Sequence, residues 1–222
     1  MPVKDKNTDR QLNKVKTVYS FWGRLPWLYA WQDYFTFMGR PKFIRGLAVK
    51  RLNLRLGDRV LEVACGSGRN FSFIMQAIGP EGKLFGFDYS QKMLDAAKKL
   101  CRQKEWNSVK LLQGDAAELK IGESNFDAII SVLGISAIPG WESALQRCYE
   151  ALKPGGTLVV CDARLFDGGL RFLNPLVKLI YSRLAAWDPS KNIPEKIRAI
   201  FGNLEIKNLN FGTFFIAKAI KY

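Results

Sequence analysis

The chain contains no histidine. The commonest general base is therefore missing, and any proton transfer must fall to tyrosine, aspartate or glutamate. The four cysteines, Cys65, Cys101, Cys148 and Cys161, form no CxxC pair. Neither a zinc knuckle nor a redox dithiol is supported, and scattered thiols suit a reducing compartment. No uncharged apolar run reaches the ~18–20 residues of a membrane span. The polar start MPVKDKNTDRQLNKVK lacks the apolar stretch of a secretory signal. A cytoplasmic protein is expected. Acidic charge is also scarce, with 34 Lys and Arg against 20 Asp and Glu, a net charge of +14.

That charge is uneven. Residues 1–55 carry 12 basic against 3 acidic side chains and residues 165–222 carry 9 against 4, whereas residues 56–164 balance at 13 each. Uniform adaptation of a proteome would not leave the middle neutral. The flanks are expected to meet an anionic partner: a phospholipid surface, nucleic acid or an acidic substrate.

The middle alternates strands and helices. RVLEVA (59–64), GKLFGFD (82–88), VKLLQGD (109–115), FDAIISVLG (126–134) and GTLVVCD (156–162) read as buried strands. A helix opens after the glycine turn that follows the first strand. Residues 90–104 form another, with Ser90 as N-cap, and residues 141–156 a third, stopped by Pro154 and two glycines. Such alternation predicts a mostly parallel sheet covered on both faces, of the doubly wound, Rossmann-like α/β class. Two strands around Asn210–Phe211–Gly212, at 204–210 and 212–222, close it with an antiparallel hairpin. Residues 168–187 are helical in period. The expected organisation is a basic, aromatic helical lid at 1–55 and a binding domain at 56–222, with a helical insertion at about 165–203. Ligands bind such sheets at the carboxyl ends of the strands. Glu62, Asp88, Asp115 and Asp162 lie at or near those ends.

Two further absences narrow the ligand. The dinucleotide fingerprint G-x-G-x-x-G has Gly66 and Gly68 here, but Phe71 stands at its third glycine. No GK[ST] follows, so a P-loop is excluded. Glu62 beside the turn would repel a pyrophosphate and attract an ammonium or a sulfonium. Asp88, 20 residues after Gly68, is placed to accept from both hydroxyls of a ribose. The ligand looks like a nucleoside with a cationic tail, which S-adenosylmethionine fits.

The stretches VLEVACGSGRNF, KLFGFDYSQKMLDAAKK, VKLLQGDAAEL and FDAIISVLGISAIPGWESALQRCYEALKPGGTLVV together resemble the class I S-adenosylmethionine-dependent methyltransferases. The resemblance covers about residues 55–164, and the terminal hairpin by position. It implies that Glu62, Gly66 and Gly68 border the methionine moiety and that Asp88, followed by Tyr89, holds the ribose. Met93 packs nearby, where its type suits a core residue better than a specific contact. Asp115 and Ala116 meet the adenine, and Ser131, Val132 and Leu133 face donor and acceptor. Ala64 stands where the family usually has glycine, a position expected to need only a small side chain.

Residues 19–37 hold nine aromatics, Tyr19, Phe21, Trp22, Trp27, Tyr29, Trp31, Tyr34, Phe35 and Phe37, flanked by basic residues. That is the composition of an interfacial helix, although the same rings serve equally to pack a lid. Deleting residues 1–38 is expected to spare cofactor binding and to remove membrane association. Tyr19 and Tyr29 are the acceptor-side catalytic candidates. Within the family the chain looks most like the lipid-directed branch, the phospholipid N-methyltransferases and the ubiquinone/menaquinone C-methyltransferases. The first expectation is N-methylation of a phosphatidylethanolamine-type head group at an anionic membrane surface, and the second is C-methylation of an isoprenoid quinone. A soluble small-molecule methyltransferase, an RNA methyltransferase and a non-catalytic cofactor-binding regulator are the alternatives. RNA is disfavoured because SVLG stands after the fourth strand instead of an N/D-P-P-[YF] motif.

Overall fold

The computed structural model describes residues 6–119, 125–166, 168–184 and 186–222. Seven strands form one sheet: β1 (Arg59–Val63), β2 (Lys83–Asp88), β3 (Val109–Gln113), β4 (Phe126–Val132), β5 (Leu152–Ala163), β6 (Glu205–Leu209) and β7 (Phe214–Ile220). Their order is β3-β2-β1-β4-β5-β7-β6. The first five run parallel, while β7 pairs antiparallel with both β5 and β6. The chain reverses its direction of winding between β1 and β4, which opens a crevice at their carboxyl ends.

Helices cover both faces. On one, α6 (Trp141–Ala151) and α8 (Ile193–Phe201) pack on Leu61, Val63, Ile129 and Val160. On the other, α3 (Pro41–Lys50), α4 (Phe71–Ile78) and α5 (Gln91–Gln103) pack on Val60, Ile130, Val159 and Cys161. The spacing of Phe71, Ile74 and Ile78 puts one stripe of α4 fully into this core. Each such side chain contributes about 1.5–3 kcal/mol by leaving water. Ser90 caps α5 through the Met93 N–H, as the sequence suggests. Phe71, where a dinucleotide fold has its third glycine, fits because other glycines make room. A Cβ on Gly86 would come within 2.8 Å of its ring, and one on Gly68 within 2.7 Å.

The helix expected to reach residue 156 ends at Ala151, and β5 begins at Leu152. Pro154 disfavours helical backbone at the residue before it, so the chain leaves the helix early. Pro154, Gly155 and Gly156 then form an irregular strand start, where the register with β4 shifts.

The first 55 residues divide between two roles. Ile44, Ala48 and Val49 of α3 belong to the core beside α4. Helices α1 (Lys6–Arg24) and α2 (Pro26–Thr36) lie over the carboxyl ends of the strands. The insertion holds α7 (Asn174–Leu184), preceded by a 3-10 segment at 168–173. No helix among the described residues is long and apolar enough to cross a membrane.

Candidate active site

A cleft of about 770 Å³, open to solvent, lies at the switch point. Glu62, Ala64, Gly66, Asp88, Tyr89, Asp115, Ala116 and Val132 all line it. Three of the expected residues do not. Gly68 shapes the turn from behind, at φ +80°. Met93, on α5, is buried in the core, and Ser131 is buried near the end of β4, its Oγ 2.5 Å from where a Cβ on Gly134 would stand. Leu133, Gly134 and the 3-10 segment at 135–137 form the wall there instead. From the lid, Leu12, Val15 and Tyr19 of α1 close the cleft over its top. The side chain of Tyr29 lies outside the described residues.

Ala64 needs more than small size. Its backbone is left-handed, at φ +55°. That conformation costs a non-glycine residue about 1–2 kcal/mol. Its methyl fits because residue 134 is glycine: a Cβ there would stand 2.6 Å from the Ala64 Cβ.

Asp88 is anchored by backbone. Its Oδ1 accepts from the Ser90 N–H and its Oδ2 from the Gly66 N–H, both at 2.8 Å. A carboxylate has about four acceptor positions, so two remain for a ligand. Burial pushes the Asp88 carboxyl up to about 6, against the pull of the Ser90, Gly66 and Tyr89 N–H groups. Asp115 accepts from the Ala117 N–H at 3.0 Å and so caps a 3-10 turn.

Glu62 is buried to 1% exposure at the end of β1. Its Oε1 accepts from the Asn70 side-chain amide, whereas its Oε2 is buried with no hydrogen-bond partner. Burial raises the carboxyl to about 8; the Asn70 hydrogen bond and the Arg45 charge pull it down, and Asp88 adds repulsion. An unpartnered buried acceptor costs about 1–3 kcal/mol unless a donor reaches it. The donor that Oε2 lacks is what the ammonium of a methionine moiety offers. Glu62, the acceptor positions left on Asp88 and the glycine turn therefore fit S-adenosylmethionine.

A stability consequence follows from the raised carboxyl. In the unfolded chain Glu62 titrates near 4.5, and in the folded protein near 8. Between these values the folded state holds a proton that the unfolded state has released, so stability falls as pH rises. Asp88 acts in the same direction between 3.8 and about 6. The ligand-free protein is expected to melt roughly 5–10 °C lower at pH 8.5 than at pH 5.5. Glu62→Gln should flatten most of that fall. Thermal denaturation at both values checks it, and a Tm that rises with pH would count against a buried Glu62.

Beside the first cleft is a second, of about 900 Å³, which shares Tyr19 and Leu133 with it. Its walls come from α2, the end of β5, the insertion and the β6–β7 turn. Aromatic and aliphatic groups dominate, among them Phe35, Phe166, Tyr181, Trp187 and Phe214. Arg164 is the one charged residue among its described lining residues. Its Nε donates to the Gly212 carbonyl at 2.7 Å. The loop between the clefts is held by buried Asp162, which accepts from the Ser136 N–H and Oγ at 2.9 and 2.7 Å. Lys191 reaches in from the insertion and donates to the Ser136 and Ile138 carbonyls at 2.7 and 2.8 Å. Burial raises the Asp162 carboxyl, against the Ser136 hydrogen bonds.

Sequence reasoning missed Asn70, Arg45, Asp33 and Arg69. Asn70 sits at the N-cap of α4 but makes no capping bond with its side chain. Its position could be read from the sequence as an ordinary cap; the use of its amide could not.

Comparison with known proteins agrees with this geometry. A family model described as a methyltransferase domain matches residues 60–156. A demethylmenaquinone methyltransferase of Oceanobacillus iheyensis is 34% identical over 123 residues, 55% of this chain and about half (52%) of the relative. One of Geobacillus stearothermophilus is 29% identical over 185 residues, 74% of this chain and 79% of the relative. Among solved structures, a phosphoethanolamine N-methyltransferase 2 of Haemonchus contortus in complex with S-adenosyl-L-methionine superposes with a TM-score of 0.68 at 18% identity, covering 81% of this chain and 52% of that one. A putative methyltransferase from a Haloferax volcanii complex with the activator Trm112 reaches 0.71 at 14% identity, covering 93% and 96%. At such identities the two structures speak for the fold alone. The matched domain, the related sequences, the strand order and a cleft suited to S-adenosylmethionine together identify residues 60–156 as a methyltransferase domain and give the chain the fold of the class I S-adenosylmethionine-dependent methyltransferases.

Proposed function

We propose that this chain methylates a ring carbon of a membrane-dissolved isoprenoid quinone in its reduced form. The observation that carries the reading is the composition of the second cleft. It is walled by rings and aliphatics, and its only described charge is the Arg164 guanidinium. An apolar ring system with an ionisable hydroxyl suits such walls, and an arginine suits the oxyanion. The relatives named demethylmenaquinone methyltransferases support the same acceptor class. An amino head group is the second reading. The aromatic walls favour it by cation–π attraction, and Arg164 suits its phosphate, but the Arg164 charge opposes a second cation in the same cleft.

In this reading Asp88 holds the cofactor ribose, Glu62 its ammonium, and Asp115 with Ala116 borders its adenine. Bound there, the cofactor supplies a methyl group already activated on a sulfonium. The chain's task is alignment and exclusion of water. Arg164 is placed to hold the ionised hydroxyl that makes the neighbouring ring carbon nucleophilic. Tyr19, on the border of both clefts, is placed to pass on the displaced ring proton.

The exposed rim supports a membrane-borne substrate. Trp27, Trp31 and Phe35 of α2 are 58–68% exposed, and Phe172 of the insertion is 74% exposed. Rings on a basic flank are the makings of a surface that enters an anionic bilayer from one side. Other rings of the same stretch serve packing: Trp22 and Phe37 are buried, and Phe37 packs on Phe214.

The test supplies methyl-labelled S-adenosylmethionine and anionic vesicles carrying either a reduced demethylated menaquinone or phosphatidylethanolamine. Label in the quinone supports the proposal. Label in the phosphatidylethanolamine would transfer the reading to the head-group amine. With a whole-cell extract, label confined to ribonuclease-sensitive polymer would overturn both.

A further inference from the structure

A buried polar chain runs from the lid to the cofactor cleft. Asp33 of α2, Arg45 of α3, Asn70 at the start of α4 and Glu62 of β1 are each at most 5% exposed. Arg45 Nη2 donates to Asp33 Oδ1 at 2.6 Å, and its Nε to Oδ2 at 3.3 Å. Its Nη1 donates to Asn70 Oδ1 at 3.0 Å. The Asn70 Nδ2 donates in turn to Glu62 Oε1. Arg69, on the cofactor turn, also grips Asp33, at 2.8 Å.

The chain has one possible polarity. A guanidinium only donates, so the Asn70 oxygen must face Arg45. The Asn70 NH₂ must then face Glu62, which occupies Oε1 and leaves Oε2 bare beside the cleft. Without Arg45 the amide is free to turn and present its oxygen to the carboxyl, which then needs a proton of its own. Arg45 thus decides that Glu62 is an acceptor, and Asp33 decides where Arg45 stands.

We propose that Arg45 and Asp33 are positioning residues of the cofactor site, fixing the Asn70 amide so that Glu62 offers a bare oxygen to a cationic ligand group, and tying that setting to the seating of the lid helix α2. This rests on the reading that Glu62 receives the cofactor's ammonium. Coupling of this kind is reciprocal, so what seats the lid also tightens the cofactor. The groups facing Glu62 are Arg45 of α3, Asp88 of β2, the Cys65 thiol and Asn70, with Asp33 and Arg69 behind Arg45. Arg45 favours the ionised form of Glu62, and Asp33 partly neutralises Arg45.

Titration calorimetry of the full chain with S-adenosylhomocysteine between pH 6 and 8 tests this. In the unaltered protein affinity falls as pH drops below about 8, because the proton on Glu62 must leave. Arg45→Met is expected to weaken binding at pH 7.5 about tenfold and to move the pH limb up by about one unit. Arg45→Lys keeps the charge and is expected to hold the limb in place. Asp33→Asn leaves Arg45 less neutralised and is expected to move the limb down. Opposite shifts from the two ends of one ion pair do not arise from a merely structural loss. An Arg45→Met protein with the unaltered limb overturns the proposal. Where circular dichroism shows that variant unfolded, Asp33→Asn decides: a downward shift supports the proposal and an unmoved limb overturns it. An unaltered protein that binds no S-adenosylhomocysteine at any of these pH values would overturn the cofactor reading of Glu62 instead.

Discussion

Asp88→Ala is expected to weaken S-adenosylhomocysteine binding by at least about 100-fold. Two hydrogen bonds from ribose hydroxyls to a carboxylate are worth about 1.5–3 kcal/mol each, and both vanish. The substitution also frees the Gly66 and Ser90 N–H groups that Asp88 holds at 2.8 Å. The glycine turn then loses the anchor that keeps it clear of the cofactor, so the loss exceeds that of the two ribose bonds. Asp88→Asn separates the contributions. It keeps the shape, but one side-chain atom becomes a donor facing a backbone N–H, and about a tenfold loss is expected. Calorimetry near pH 7.5 is the measurement, because protonation of Asp88 itself weakens the unaltered protein below about pH 6. Alanine at 88 with affinity within threefold of the original would remove the ribose from this residue.

The second large effect concerns the membrane surface. Trp27→Ser with Trp31→Ser is expected to lower affinity for anionic vesicles about 100-fold or more, since each buried indole is worth about 1.5–3 kcal/mol. Both rings are well exposed and line neither cleft, so cofactor affinity should stay within threefold. High salt should weaken the remaining, electrostatic attraction and leave the ring-driven part of the unaltered protein's binding. Sedimentation with vesicles at low and high salt reads both contributions. Undiminished sedimentation of the double variant would sink the α2 face as an anchor. Deletion of residues 1–38, expected from the sequence to spare cofactor binding and remove membrane association, is expected from the structure to disturb both. It removes Leu12, Val15 and Tyr19 from the cofactor cleft and Asp33 from its buried ion pair. Point changes on the exposed face are the cleaner instrument.

Much of the cofactor cleft is legible in the sequence because its groups sit at strand ends. Burying a strand requires an unbroken apolar run, and the first polar residue after the run lands on the sheet's edge. VLEVACGSG therefore locates Glu62 and the turn, and KLFGFD locates Asp88, before any coordinates are known. The same local pattern predicts the parallel sheet, the helices between its strands and the closing hairpin. The departure from glycine at Ala64 is also visible, but its left-handed backbone is not. Room for its methyl depends on Gly134, 70 positions away.

Helices that carry no chemistry in their own pattern were decided only by tertiary packing. Asp33 and Arg45 look like surface charges of a basic, aromatic segment. They meet because α2 and α3 fold back onto the cofactor turn, and there burial turns them into a donor chain that sets Glu62. The second cleft has the same origin. Its walls come from segments between Tyr19 and Phe214, and no single stretch shows that the only charge among the described lining residues is a guanidinium. Periodicity and strand-end polarity are local, so the sequence by itself determined the fold class and which strand ends line the first cleft. Which side chains desolvate one another depends on how distant helices seat, so the buried polar chain from α2 to Glu62 and the character of the second cleft belong to the tertiary structure.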